Sequence, residues 1–442
     1  MRASFAIAFV LSAAGMLTIG SSGASAQPLE WRVTKTEWTA ADEKGFGDFV
    51  AVIAESGCTT TISCMRSAAN FYHDSDPASF QFHADCAKWV YMLRAYYASK
   101  NGLPFSYVSR IAGEGDDLRF SKTSNRALAR RDLVDGGSGI AVIPALQALH
   151  DQVWTATYRM DPAAETPVEQ DFYSPKIQPG SIRPGTAIYD INGHVGLVYD
   201  VTADGRVLYM DAYPDEHVAR SFYGLQFGQS PAELGGGFKN FRPLKLIGAT
   251  QTSEGAYIGG AIVLAPNEAI ADYSLEQYRG NVPNTHANGP GAQFRYNNIS
   301  LGLFEYARAS MSGGGFAFNP VYEMKATLRS LCRDAKDATP TSVSRLQIGF
   351  ATLHRDLSEM IALWEKRDLR VVYDGRSLKE TLSEIYAAEA QACSMHYADN
   401  QGRIIVADLD LIAGWAPETD VRTLIDAMDD LAPFAGMRPV GY

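Results

Sequence analysis

Beyond its first twenty-six residues this 442-residue chain has no apolar run long enough to cross a bilayer, which argues against a protein of several membrane spans. It has no excess of positive charge. The 39 Lys and Arg stand against 50 Asp and Glu, a formal net charge of -11. Such a balance gives no electrostatic footprint for nucleic acid or for an anionic membrane surface, so neither is expected as a partner. Repeats of solenoid period and low-complexity tracts are missing. No His/Cys spacing of zinc type occurs either, and neither a metal nor another cofactor is expected. Cysteine is scarce, with five residues: Cys58, Cys64, Cys86, Cys332 and Cys393.

What is present starts with a leader. Met1-Arg2, an apolar run from Phe5 to Ile19 and the small residues up to Ala26 read as a secretory signal cleaved after Ala26. The expected mature protein begins at Gln27, carries no membrane anchor after cleavage, and is periplasmic or secreted. Its formal charge would then be -12, with 38 Lys and Arg against 50 Asp and Glu once Arg2 is gone. A composition of 46% hydrophobic and 20% charged residues is ordinary for a globular chain. The length suggests two or three folding units at roughly 100–200 residues each.

Export makes the odd number of cysteines informative, because an oxidising compartment leaves at least one of them over. Five cysteines allow many connectivities. Arithmetic and chemistry together favour Cys58–Cys64 and Cys332–Cys393 as disulfides with Cys86 free. Cys86 follows Asp85, and the apolar positions Cys86, Trp89, Val90, Leu93, Tyr96 and Tyr97 recur as on one buried helix face. Asp85 then reads as the N-cap, with the cysteine in the opening position. Free backbone N–H groups and the positive end of the helix dipole favour thiolate, the nucleophilic form. A small buried core residue is the competing reading of the same cysteine.

Upstream, Trp38 to Ile53 and Cys64 to Phe71 read as helices, and Phe105 to Val108 as a strand. Residues 112–181, with Gly-rich turns and a helix-like stretch from Pro144 to Thr157, read as an insertion of surface loops. Further on, Pro184-Gly185 turns into a β run, Asn192-Gly193 is a hairpin turn, and a second run opens with His194. A third run follows Ala203-Asp204-Gly205 and ends on Asp211. Three antiparallel strands thus bring His194 and Asp211 onto neighbouring segments. His217 is the runner-up for the third role. His83 reads as a packing or capping residue, and His73 with Asp74 and Asp76 as a solvated loop.

Asp85-Cys86, the Pro184-Gly185-Thr186 turn, Gly193-His194-Val195-Gly196-Leu197-Val198 and Leu208-Tyr209-Met210-Asp211-Ala212 together resemble the NlpC/P60 family of papain-like cysteine peptidases, over about residues 58–225. The chain departs from that pattern at Ala87-Lys88, where the family has small residues, and in its longer cysteine-to-histidine interval. Asp211 stands where the family more often has His, a feature shared with transglutaminase-like proteins of the same fold group. The resemblance implies an α+β class, with a papain-like core in which a cysteine-bearing helix packs on a small antiparallel sheet. It implies catalytic Cys86, His194 and Asp211 acting on amide bonds of peptidoglycan peptides or another peptide substrate. A transglutaminase-like acyl transferase and a non-catalytic cell-envelope binding protein remain open beside it. The expected organisation is a signal peptide at 1–26, the papain-like domain at 27–250, and a mostly helical domain at 265–442. That last domain shows helical patterns at Glu268 to Tyr278, Asn297 to Ala309, Pro320 to Ala335, Ser342 to Lys366, Ser377 to Tyr397 and Thr419 to Leu431, and no catalytic set.

Overall fold

The helix that begins at Cys86 organises the core. In the computed structural model, which describes residues 29–313 except 225–226 and 284–286 together with three short strands beyond residue 393, it runs Cys86–Lys100 (α3). Sequence periodicity predicts one buried face. Instead twelve of its fifteen residues are buried, so the helix is enclosed on nearly all sides. It packs against α1 (Ala40–Glu55), α4 (Val142–Gln152) and the strand that starts at His194. The buried cation in its middle, Arg94, is compensated. Arg94 donates to both carboxylate oxygens of Glu43 at 2.8 and 2.5 Å, and its guanidinium lies 3.4 Å over the Trp38 ring.

Helix α1 starts where its sequence provides a capping box. Thr39 accepts from the backbone N–H of Asp42, and the Asp42 carboxylate accepts from that of Thr39. Phe46, Phe49, Val50 and Ile53 then form its buried side. The next helix, α2, spans Thr61–Arg66 rather than Cys64 to Phe71. Thr60 and Ser63 form a second capping box there, which moves the start three residues earlier.

The largest sheet has six strands, all antiparallel, in the spatial order Phe172–Tyr173, Gly237–Phe241, Ala187–Asp190, His194–Val201, Val207–Ala212 and Val218–Phe222. Ala187, Tyr189, Val195, Leu197, Met210 and Ala212 belong to the same core as α3. Ile188, Val198, Tyr209 and Phe238 belong to a second core. The alternation of strand side chains thus makes one sheet serve two apolar layers.

Residues 112–181 are not an excursion of surface loops. Arg126–Leu133 pairs along Phe105–Ala112, α4 lies against α3, and Tyr158, Arg159, Asp171 and Phe172 are buried. The glycines there mark turns between packed elements, and turn composition carries no information about burial. The Gly-rich stretch from Gly255 to Leu264 is part of a hairpin. Leu244–Ile247 pairs with Ala261–Leu264, and Thr250–Gln251 with Tyr257–Ile258. Its Leu246 and Tyr257 N–H groups donate to Thr36 and Val33 carbonyls, both at 2.7 Å.

Beyond it, the helical patterns are shorter than the sequence suggests. The pattern from Glu268 to Tyr278 becomes a 3-10 turn, Asn267–Ala269, and the one-turn helix α5, Glu276–Arg279. The pattern from Asn297 is interrupted because Asn297 and Asn298 take φ of 47° and 65°, which makes a hairpin turn between Phe294–Tyr296 and Ile299–Leu301. Helix α6, Leu303–Met311, follows, and its Tyr306, Ala307 and Met311 join the second core of the sheet. Where a helix from Ser377 to Tyr397 is expected, Ser394–Ala398 is a strand paired with Ile404–Asp408 and Arg438–Pro439. The other helical patterns after Pro320, the signal segment, Cys332 and Cys393 lie outside the described residues. Helices and antiparallel sheets in this arrangement make an α+β protein.

Candidate active site

Cys86 is placed by its N-cap. Asp85 is extended and accepts from the backbone N–H of Lys88 at 3.0 Å, so the helix begins at the cysteine. The same carboxylate pairs with the Lys88 ammonium, which holds that cation at the helix start. Cys86 is 9% exposed and is the free cysteine among the described residues.

His194 is placed by a turn that only glycine closes comfortably. Gly193 sits at φ +91° and donates its N–H to the Asp190 carbonyl at 2.9 Å, while Asp190 and His194 face each other across the ladder. The next strand then carries Asp211, 3% exposed. His194 Nε2 donates to Asp211 Oδ2 at 2.6 Å. A carboxylate only accepts, so this bond puts the ring proton on Nε2 and leaves Nδ1 as the nitrogen available to the thiol. Burial pulls the imidazole toward neutrality. Hydrogen bonding to Asp211 and to Cys86, and the charges of both, outweigh it and hold His194 well above the ordinary histidine range. The His194 side chain nevertheless retains 34% of its exposure, so solvent reaches the ring.

The three residues singled out in the sequence are thus brought together. The third place at the imidazole is taken by Asp211. The His217 ring lies 6.4 Å from that of Tyr213, which itself lies 5.9 Å from the His194 ring, and the ring nitrogen of His194 bonds Asp211 instead. His83 Nδ1 bonds Glu216 and its Nε2 lies 3.0 Å from Gln81 Oε1. The segment at His73 is more ordered than a solvated loop. Asp76 accepts from the Tyr96 hydroxyl at 2.6 Å and from Lys100 at 2.5 Å, and the Asp76 and Lys100 side chains are 9% and 7% exposed.

The Cys58–Cys64 disulfide closes a short loop near the strand that follows Asp211. There Val218 N–H donates to Thr59 O at 2.8 Å and Thr61 N–H to Glu216 O at 3.0 Å. Arg220 donates from Nη1 to the Cys58 carbonyl at 2.8 Å.

Sequence reasoning missed two tyrosines. Tyr158 comes from the stretch read as an insertion and donates to the Ala87 carbonyl at 2.7 Å. Burial pushes its hydroxyl well above the ordinary tyrosine range, and the nearby Cys86 and Asp85 add to the effect. Tyr189 stacks on it at 5.9 Å, and its buried hydroxyl lies beside the Arg159 guanidinium. Burial likewise raises Tyr189, to about 12. The aromatic density from Trp154 to Tyr158 was the available signal. Among the described residues no cluster of His, Cys, Asp and Glu is arranged to hold a metal ion. A comparison with protein-family models, curated proteins and solved structures finds no match to this chain.

Proposed function

We propose that the chain is an exported, cysteine-dependent amide hydrolase with a papain-like core, acting on peptidoglycan peptides. The observation that carries this reading is the convergence on one imidazole of a helix-start thiol and a buried carboxylate, Cys86 and Asp211 on His194. In this mechanism the Cys86 thiolate attacks the amide carbonyl carbon. The His194 imidazolium then gives its proton to the leaving amine as the C–N bond breaks, which leaves a thioester on Cys86. Water, deprotonated by the now neutral imidazole, hydrolyses the thioester and restores the thiolate–imidazolium pair. Asp211 orients the ring and stabilises its charged form. The backbone N–H of Cys86, one of the free donors of the helix start, is an oxyanion donor.

The third residue favours one neighbouring reading. A carboxylate at Asp211 also fits transglutaminase-like acyl transfer, in which a primary amine replaces water in the second step. Mass spectrometry of peptidoglycan fragments incubated with the mature protein tests both. Hydrolysis of an amide bond that disappears in Cys86→Ala supports the proposal, and products carrying an added amine support acyl transfer. Fragments unchanged by the wild-type protein contradict both.

A further inference from the structure

Phe120 is 56% exposed. A single exposed apolar ring is ordinary unless it is carried by an anchored turn beside a site, and here it is. It ends the 3-10 turn Leu118–Phe120, and the next residue, Ser121, is fully buried. Asn125, 2% exposed, donates from Nδ2 to Leu118 O at 2.8 Å and to Ala156 O at 2.9 Å, while Ser121 Oγ donates to Asn125 Oδ1 at 2.6 Å. The turn is therefore built on a satisfied buried polar network rather than on a free loop.

That network reaches the histidine. Arg159, 6% exposed, donates from Nε and Nη2 to the Ser121 carbonyl at 2.8 and 2.6 Å, and from Nη1 to the Ile191 carbonyl at 3.1 Å. Ile191 opens the turn that closes at Gly193, immediately before His194. One buried guanidinium thus ties the Phe120 turn to the His194 turn. The Phe120 ring stands over that turn, with its Cζ 3.9 Å from where a Cβ on Gly193 would project.

We propose that Phe120 is a specificity-determining residue, a fixed apolar platform that receives an apolar side chain next to the scissile amide. This rests on the cysteine hydrolase reading. The turn that carries the ring is set before substrate arrives, so only the ring's own rotamer remains to be ordered on contact.

Two electrophiles sharing one reactive group test it without knowledge of the substrate. N-benzylmaleimide and N-methylmaleimide are each reacted with the native protein, and the rate at Cys86 is followed by mass spectrometry of the peptide that contains it. The benzyl-to-methyl rate ratio, divided by the same ratio for the unfolded chain, is expected to be roughly two- to tenfold above unity, the range one aromatic contact supplies. Phe120→Ala should return it to unity, and Phe120→Trp should keep it. A ratio unchanged by Phe120→Ala, with Cys86 still reactive, overturns the platform and leaves the hydrolase reading intact. A native Cys86 that reacts with neither reagent contradicts the hydrolase reading and the platform with it.

Discussion

The Tyr158 hydroxyl donates to the carbonyl of Ala87 at 2.7 Å, a bond that spans 71 residues and lands on the residue after Cys86. It fastens the first turn of α3 to the segment after α4, and so the position of the thiol depends on a part of the chain far from it in sequence. Tyr158→Phe keeps the ring and removes the bond. The variant is expected to lose about 1 kcal/mol of stability in a denaturant titration, the usual net worth of a buried hydrogen bond. A change within experimental error would mean that the bond does not fasten the turn.

The Asp211 pairing predicts a pH dependence of known sign. His194 titrates near 6.5 in the unfolded chain and well above it when folded, because its bonds to Asp211 and Cys86 outweigh burial. Above about pH 6.5 the folded state therefore holds the extra proton. The stabilisation is fully present below that pH and is lost as pH rises through the folded value. Asp211→Asn should flatten this fall in stability and lower amide cleavage by on the order of a hundredfold or more, whereas His217→Ala should change neither much. The reverse pattern would assign the third role to His217.

Lys239 should show the opposite slope. It is 1% exposed, and burial lowers its ammonium to about 7. Between about pH 7 and the unfolded value near 10.5 the unfolded chain binds more protons, so stability rises with pH across that window. Lys239→Met should abolish that rise and stabilise the protein most below pH 7, by on the order of 5 kcal/mol as an upper bound. Thermal melts of the variant and the wild type across this range check it, and a wild type whose stability does not rise relative to Lys239→Met would contradict it.

Much of the site was legible because its residues are set by local rules. Asp85 before Cys86 is an N-cap, Asn192-Gly193 is a hairpin turn that opens the His194 strand, and Asp211 lies near the end of the next strand, Val207–Ala212; each follows from a few neighbouring residues. The Cys58–Cys64 bridge, six residues apart, was legible for the same reason. What escaped depends on tertiary packing. Nothing near Tyr158 in sequence says that its hydroxyl meets Ala87, and nothing near Arg159 says that it joins Ser121 to Ile191. The Gly-rich turns within 112–181 read as surface loops because glycine marks a turn wherever it occurs, buried or not. The helix expected from Asn297 was cut short by two asparagines in left-handed conformation, a choice that helical periodicity does not register.

A Cys86 nucleophile held ready by His194 reveals itself in the rate of its alkylation. Iodoacetamide labelling at neutral pH, followed at the Cys86 peptide by mass spectrometry, is expected to be faster in the native protein than in the unfolded chain, although the residue is only 9% exposed when folded. His194→Ala should slow it by roughly tenfold or more, since the ring that keeps the thiolate paired is gone. Slow labelling of the native protein, fast labelling after unfolding, and no effect of His194→Ala would instead identify Cys86 as an inert residue of the core.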